Sequence, residues 1–100
     1  MKVVKVEYQV KDEFIEQNKK NIEAIIEELK GRGDVGVKYF ANIKEDGKTF
    51  VHINIMRDNV DPSVMSEMDS FKKFQKELGE NVTVKPEVTP LKNIASSFDV

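Results

Sequence analysis

His52, the only histidine in the chain, is the residue whose type best suits chemistry near neutral pH. An imidazole with an ordinary pKa of about 6.5 can act as a general base, and it can also bind a metal ion or haem. The alternative is a structural histidine hydrogen-bonded to a neighbouring amide, because a buried, unpaired ring would cost about 1–3 kcal/mol. Asn42 and Asn54 are the candidate partners, and the residue type alone leaves both roles open.

A set of aromatic, amide and thioether side chains predicts an apolar pocket that such a histidine could serve. Tyrosine hydroxyls could orient a phenolic substrate, and an amide such as Asn54 could hold dioxygen or a quinol oxygen. Helical spacing of methionine and phenylalanine also arises from ordinary core packing, so these residues have two interpretations. The candidate catalytic residue is His52, and the candidate pocket residues are Tyr8, Tyr39, Asn54, Met68, Phe71 and Phe74.

Four acidic residues follow the histidine-bearing segment and suggest a metal site, but the surrounding residue types argue against one. Two of the four are better explained as helix caps, and no histidine or cysteine lies near them in the sequence. The chain has no cysteine, which excludes disulfides, thiolate metal sites and cysteine nucleophiles. We therefore predict no metal and no cofactor. The four residues are Asp58, Asp61, Glu67 and Asp69.

Length and charge limit the class of protein. One hundred residues suit a single domain with one modest core. Sixteen Lys and Arg stand against 18 Asp and Glu, and the charges are interspersed, so we predict neither nucleic-acid nor membrane binding. The N-terminus has no signal-peptide pattern, and no apolar run reaches transmembrane length, which predicts a cytoplasmic protein.

Alternating and helical hydrophobic patterns predict the elements that would position these side chains. Alternation predicts strands at residues 2–10, 35–44, about 48–57 and 81–88, the last an edge strand because it contains proline. Asp46-Gly47 predicts a hairpin turn, Asp12 and Asp61 predict helix starts, and Gly31 and Gly79 predict helix ends. The order is that of an α+β, ferredoxin-like βαββαβ domain with an antiparallel sheet over residues 1–90, followed by a tail at 91–100.

The two faces of the predicted sheet differ in character. Val4, Val6, Tyr8, Val37 and Tyr39 would meet the helices, and the third strand would add Val51, Ile53 and Ile55 to that face. The opposite face would then carry an apolar patch that is unusual on a solvent-exposed surface, which favours a homodimer with sheets packed face to face. This assignment places His52 at the dimer seam rather than in a pocket. The residues predicted for the apolar patch are Phe40, Phe50 and Met56, and the same face would also carry His52 and Asn54.

Three segments resemble the antibiotic biosynthesis monooxygenase-like domains of the dimeric α+β barrel superfamily, and most closely a small uncharacterised branch of them. The segments are residues 36–40 (GVKYF), 46–52 (DGKTFVH) and 70–75 (SFKKFQ). The resemblance implies a homodimer whose sheets form a barrel, with a pocket for an apolar or aromatic ligand between each sheet and its helices. Enzymes of this superfamily oxidise polyketide quinols without a dedicated cofactor, or degrade haem.

The haem-degrading branch relies on an Asn, a Trp and a helical His. This chain has no Trp, and Met68 or a neighbour occupies the helical position, so haem degradation does not carry over. Two hypotheses therefore stand. The first is a cofactor-independent monooxygenase-like enzyme that acts on an apolar aromatic compound, with His52 as its base. The second is a ligand-binding or structural homodimer without enzymatic activity.

Overall fold

The computed structural model describes residues 1–100 as one four-stranded antiparallel sheet with helices on one face. The elements are β1 (Lys2–Val10), a 3-10 turn (Asp12–Phe14), α1 (Ile15–Gly31), β2 (Val37–Ile43), β3 (Thr49–Met56), α2 (Ser63–Ser66), α3 (Asp69–Asn81) and β4 (Val82–Leu91). The strand order in the sheet is β2-β3-β1-β4, and β2 and β3, which are consecutive in the chain, form a hairpin. The predicted ferredoxin-like α+β arrangement is confirmed.

Several predicted boundaries were wrong for local reasons. Asp12 does not cap α1 but begins the 3-10 turn that precedes it, and no side-chain cap is formed there. Gly79 does not end α3, which continues to Asn81, whose side-chain amide donates to the carbonyl of Glu77. β4 contains Pro86 yet runs to Leu91, because as an edge strand it needs hydrogen bonds to β1 alone. Residues 92–100 form neither helix nor strand.

Two glycines with positive φ lie beside the strands of the β2–β3 hairpin, one in its turn and one just before β2. Gly47 has a φ of +74°, and the Asp46 carboxylate accepts hydrogen bonds from the backbone N–H groups of Lys48 and Thr49, as the Asp-Gly signal predicts. Gly36, just before β2, has a φ of +76°, and a Cβ built there would lie 2.4 Å from Cγ2 of Val60. Glycine is therefore required at this position by both backbone conformation and space.

The register of β3 reverses the predicted assignment of its two faces. Tyr8 lies opposite Phe50, and His52 lies between Val6 of β1 and Ala41 of β2. Residues directly opposite each other in an antiparallel pair share a face, so His52 lies on the helix side with Tyr8. The predicted position of His52 at a seam between sheets was wrong. A change of one residue in hairpin register exchanges the faces of a whole strand, and this hairpin pairs Ile43 with Phe50.

The helices cover the sheet face that carries the aromatic residues. Each large apolar side chain buried there contributes about 1.5–3 kcal/mol to stability relative to an exposed one. No helix in the chain combines the length and apolar character needed to cross a membrane. The buried core consists of Tyr8, Val10, Phe14, Ile22, Ile25, Phe50, Met65, Met68, Phe74 and Leu78.

The opposite, outer face of the sheet has a composition different from the predicted one. Lys5, Ile53 and Phe40 lie side by side across β1, β3 and β2, and Phe40 is 48% exposed. Phe50 and His52 are absent from this face because they belong to the core side. The tail returns towards the sheet, with the Lys38 ammonium 5.4 Å from the centre of the Phe98 ring. The outer face thus keeps an apolar centre, formed by fewer aromatic residues than predicted.

Candidate functional site

A cavity of about 270 Å³ lies between the helix side of the sheet and α2 and α3. His52 lines it together with five of the six predicted pocket residues, namely Tyr8, Tyr39, Asn54, Phe71 and Phe74. Met68 does not line the cavity; it is fully buried in the core, and Met65 lines the wall instead. The remaining lining residues are Val4, Val6, Gln75, Leu78, Pro86 and Val88.

Four polar side chains form a continuous hydrogen-bonded series along this cavity. The Asn18 amide Nδ2 donates to Tyr8 Oη at 2.9 Å, and Tyr8 Oη lies 2.8 Å from His52 Nε2. The other ring nitrogen, Nδ1, is hydrogen-bonded to Tyr39 Oη. Each residue comes from a different element, respectively α1, β1, β3 and β2. The partners of His52 are thus tyrosines; Asn42 and Asn54, which the sequence suggested, do not contact its ring nitrogens.

Aromatic packing holds this series in place. Tyr8 stacks on Phe50, with 5.4 Å between ring centres and 10° between planes. Phe74 of α3 lies 5.6 Å from the His52 ring and 6.4 Å from the Tyr8 ring. These rings shield the polar groups from water. Each hydrogen bond between the polar groups is therefore stronger than in water, and a polar atom left without a partner would lower stability.

Burial keeps all three titratable side chains of the series neutral. Desolvation lowers the pKa of His52 to about 4, since the charged imidazolium would be buried with no acidic partner. Desolvation raises the pKa of the Tyr8 hydroxyl above its ordinary value, against a smaller opposing effect of the Asn18 hydrogen bond. The pKa of Tyr39 is also raised, chiefly by burial and secondarily by Tyr8. At neutral pH the site therefore offers hydrogen bonds without net charge.

A neutral imidazole carries one hydrogen, so its two nitrogen atoms have opposite roles. With the hydrogen on Nε2, the Nδ1 atom accepts from Tyr39 and could take up a proton through that hydroxyl. With the hydrogen on Nδ1, Tyr39 accepts from His52 and its own hydrogen is free for a ligand. The same atoms can thus act as a weak base or as a hydrogen-bond donor, according to the tautomer.

Two buried amide oxygens have no hydrogen-bond partner in the protein. Asn54 Oδ1 belongs to a residue that lines the cavity, whereas Asn18 Oδ1 lies behind Tyr8. A buried polar atom left unpaired costs about 1–3 kcal/mol. Asn54 is therefore suited to meet a polar group of a ligand.

Asn18 was not among the predicted site residues. It occupies an apolar position in the helical pattern of α1, and it is 0% exposed. A polar residue at an apolar helical position was the signal that could have identified it, because such a residue needs a buried partner.

The four acidic residues considered as a metal site do not converge. Asp58 is 2.6 Å from the N-terminal ammonium of Met1, which lowers the pKa of that carboxyl. Asp61 accepts a hydrogen bond from the backbone N–H of Ser63 at the start of α2. No three acidic or histidine side chains lie in an arrangement that could hold a metal ion.

Comparison of the whole chain with solved structures reveals a common fold. An antibiotic biosynthesis monooxygenase superposes with a TM-score of 0.80 at 14% identity, covering 95% of this chain and all of that one. The Rv0793 protein of Mycobacterium tuberculosis gives 0.78 at 16% identity, covering 97% and 98%. A candidate antibiotic biosynthesis monooxygenase from Bacteroides thetaiotaomicron gives 0.77 at 16% identity, covering 99% and 94%.

No family model matches the sequence, and no curated protein matches it. Identities of 14–16% over nearly complete chains show a shared fold. They do not show a shared reaction, which depends on the residues of the site. The protomer fold implied by the sequence resemblance is confirmed. The chain thus has the ferredoxin-like α+β fold of the antibiotic biosynthesis monooxygenase structures.

Proposed function

We propose that this protein binds a small, largely apolar aromatic molecule with a ring oxygen, and oxidises it as a cofactor-independent monooxygenase-like enzyme. The observation that carries the proposal is the neutral Asn18–Tyr8–His52–Tyr39 series at the wall of an otherwise apolar cavity. Apolar pockets with a few convergent polar groups are typical small-molecule sites. The shared fold of an antibiotic biosynthesis monooxygenase supports the same class of reaction.

The dimensions of the cavity limit the ligand. An apolar cavity of about 150 Å³ can hold benzene. A volume of about 270 Å³ therefore suits about two fused rings, with any further ring extending towards solvent beside the exposed Val88 on β4. The aromatic residues Phe71 and Phe74 would contact the ring faces, and Tyr39 and Asn54 would meet the oxygen.

The proposed reaction needs no resident redox group. The CH₂ that lies across the central ring from the ketone of anthrone reacts with O₂ to give a second carbonyl and one water. The four electrons lost by the CH₂ group equal the four gained by O₂, and both hydrogens end in the water. The step that the protein would assist is loss of one CH₂ proton to solvent at the open side of the cavity, which leaves an enolate whose oxygen would accept a hydrogen bond from Tyr39.

A non-enzymatic ligand-binding homodimer is the second candidate, and one observation favours it. With a pKa of about 4, His52 is a weak base at neutral pH and would remove a proton from carbon only slowly. Binding of the same ligand requires the cavity and the hydrogen bonds but no proton transfer.

Both candidates include a homodimer formed by the outer face of the sheet, in the cytoplasm. Phe40, Ile53 and Ile55 give this face an apolar centre, and polar side chains such as Lys5 and Glu7 lie around it. A solvated sheet face would normally carry fewer apolar residues.

The test is aerobic turnover of anthrone, followed by oxygen uptake and by the absorbance of anthraquinone. The enzyme proposal predicts a rate at least tenfold above buffer alone, and a fall to the buffer rate in Tyr39→Phe if this hydroxyl stabilises the enolate. Asn42→Ala, on the outer face, is the control and should retain the wild-type rate. Binding without turnover would support the second candidate, and absence of both would contradict each candidate.

A further inference from the structure

Asn18 is a buried polar residue to which the proposed chemistry assigns no role. It lies on α1, does not line the cavity, and reaches the site only through Tyr8. Its side chain is 0% exposed, and the apolar neighbours of the core surround it. Its one hydrogen bond donates to Tyr8 Oη, which leaves the hydroxyl hydrogen of Tyr8 for His52.

Counting hydrogens along the series gives it a direction. Tyr8 has one hydroxyl hydrogen, and its oxygen already accepts from Asn18 Nδ2. Tyr8 is 1% exposed, so this hydrogen needs a protein acceptor, and His52 Nε2 at 2.8 Å is the one available. His52 must then carry its own hydrogen on Nδ1 and donate it to Tyr39 Oη.

The direction of these hydrogen bonds decides whether Tyr39 presents a donor or an acceptor to a ligand in the cavity. Because Tyr39 accepts from His52, the hydroxyl hydrogen of Tyr39 has no partner within the protein and is free to point into the cavity. In the reverse direction Tyr39 would donate that hydrogen to His52 Nδ1, and the Tyr39 oxygen would offer the ligand only a lone pair. The direction of the hydrogen bonds along the series thus selects between a donor site and an acceptor site at Tyr39.

We propose that the Asn18–Tyr8–His52–Tyr39 series runs in this one direction, which holds His52 as the Nδ1–H tautomer, so that Tyr39 donates a hydrogen bond to the ligand. At Tyr39 the site then favours a ligand oxygen that accepts, such as that of a ketone, a quinone or an enolate. This rests on the proposed ligand cavity and deepens it by naming the ligand class. It also makes His52 a support for Tyr39 rather than the base.

The tautomer can be observed directly, without any ligand. His52 is the only histidine, so the ¹⁵N chemical shifts of its two ring nitrogen atoms are assigned without ambiguity in labelled protein. At pH 8.5 we expect the wild-type spectrum to show hydrogen on Nδ1. Hydrogen on Nε2 in the wild-type protein would overturn the inference, whatever the variants do.

Two nearly isosteric variants test the role of Asn18 itself. In Asn18→Asp the carboxylate has no hydrogen to donate, so Tyr8 should donate to it and accept from His52, which moves the ring hydrogen to Nε2. Asn18→Leu removes the amide without adding an acceptor, so it should keep the Nδ1–H form. An unchanged tautomer or a protonated ring in Asn18→Asp at pH 8.5 would contradict the inference.

Ligand preference supplies the second readout, with 1-tetralone as a two-ring ketone and 1-naphthol as a phenol of the same size. We expect the wild-type protein to prefer 1-tetralone, and Asn18→Asp to shift the ratio of the two dissociation constants by about 2- to 10-fold, the worth of one hydrogen bond. An unchanged ratio would overturn the assignment of ligand class. Failure of both probes to bind, with hydrogen on Nδ1, would overturn the proposed function while leaving the hydrogen-bond direction intact.

Discussion

The buried neutral state of His52 predicts a specific dependence of stability on pH, which the variant His52→Gln isolates. The pKa of His52 falls from 6.5 in the unfolded chain to about 4 in the folded protein, because burial disfavours the imidazolium. As pH falls below 6.5, His52 is protonated in the unfolded chain but stays neutral in the folded protein until the pH approaches 4. Stability from this residue is therefore complete above pH 6.5 and is lost as pH falls towards 4.

The two pKa values set the size of the effect. Proton linkage between them gives a loss of about 2 kcal/mol in the free energy of unfolding between pH 7 and pH 5. His52→Gln lacks this loss, although its stability at pH 7 should be lower because the tyrosine hydrogen bonds change. Surface carboxyls with lowered pKa values, such as Asp46 and Asp61, are present in both proteins and cancel in the comparison.

Urea denaturation at pH 7, 6 and 5 measures the effect, at one protomer concentration because dimerisation would contribute to stability. The difference between wild-type and His52→Gln stability should shrink by about 2 kcal/mol across this range. Parallel pH profiles for the two proteins would refute the conclusion that His52 is buried without charge. So would a ring signal of His52 that titrates near pH 6.5.

The remaining predictions concern packing, backbone conformation and assembly. Gly36→Ala should lower the free energy of unfolding by about 1–3 kcal/mol more than Gly47→Ala, since both have positive φ but Gly36 alone lacks space for a Cβ; equal urea midpoints would contradict this. Phe74→Ala, at a side chain only 6% exposed, should cost about 3–5 kcal/mol, and Phe98→Ala, at one 43% exposed, less than about 0.5 kcal/mol. Phe40→Lys should convert a dimer into a monomer in sedimentation velocity, and an unchanged sedimentation coefficient would exclude the outer face as the interface.

The order of elements was predictable because each element carries a local signal. The alternation of β1, the helical spacing on α1 and the Asp46-Gly47 turn are each contained within a few residues. The end of α3 was not predictable in the same way. Gly79 favours a helix end by propensity, yet its φ is not positive, and α3 continues to Asn81 with Leu78 buried in the core beside it.

The faces of β3 were not predictable from alternation alone, because both are apolar. The branched residues Val51, Ile53 and Ile55 suggested the core side, whereas the hairpin register places Phe50 and His52 there instead. Register depends on pairing between strands distant in sequence, which a pattern within one strand does not contain. For the same reason, the tyrosine partners of His52 became evident only from the fold.

The most direct test of the account is the ¹⁵N spectrum of the His52 ring during a titration with 1-tetralone. Tyr39, which would bind the ligand oxygen, is hydrogen-bonded to Nδ1 of this ring, so occupancy of the cavity must change the ring signals. We expect the two ring nitrogen signals to shift and saturate, with the hydrogen remaining on Nδ1. Ring signals that do not change, while amides of the outer face do, would show that the ligand binds elsewhere and would contradict the account.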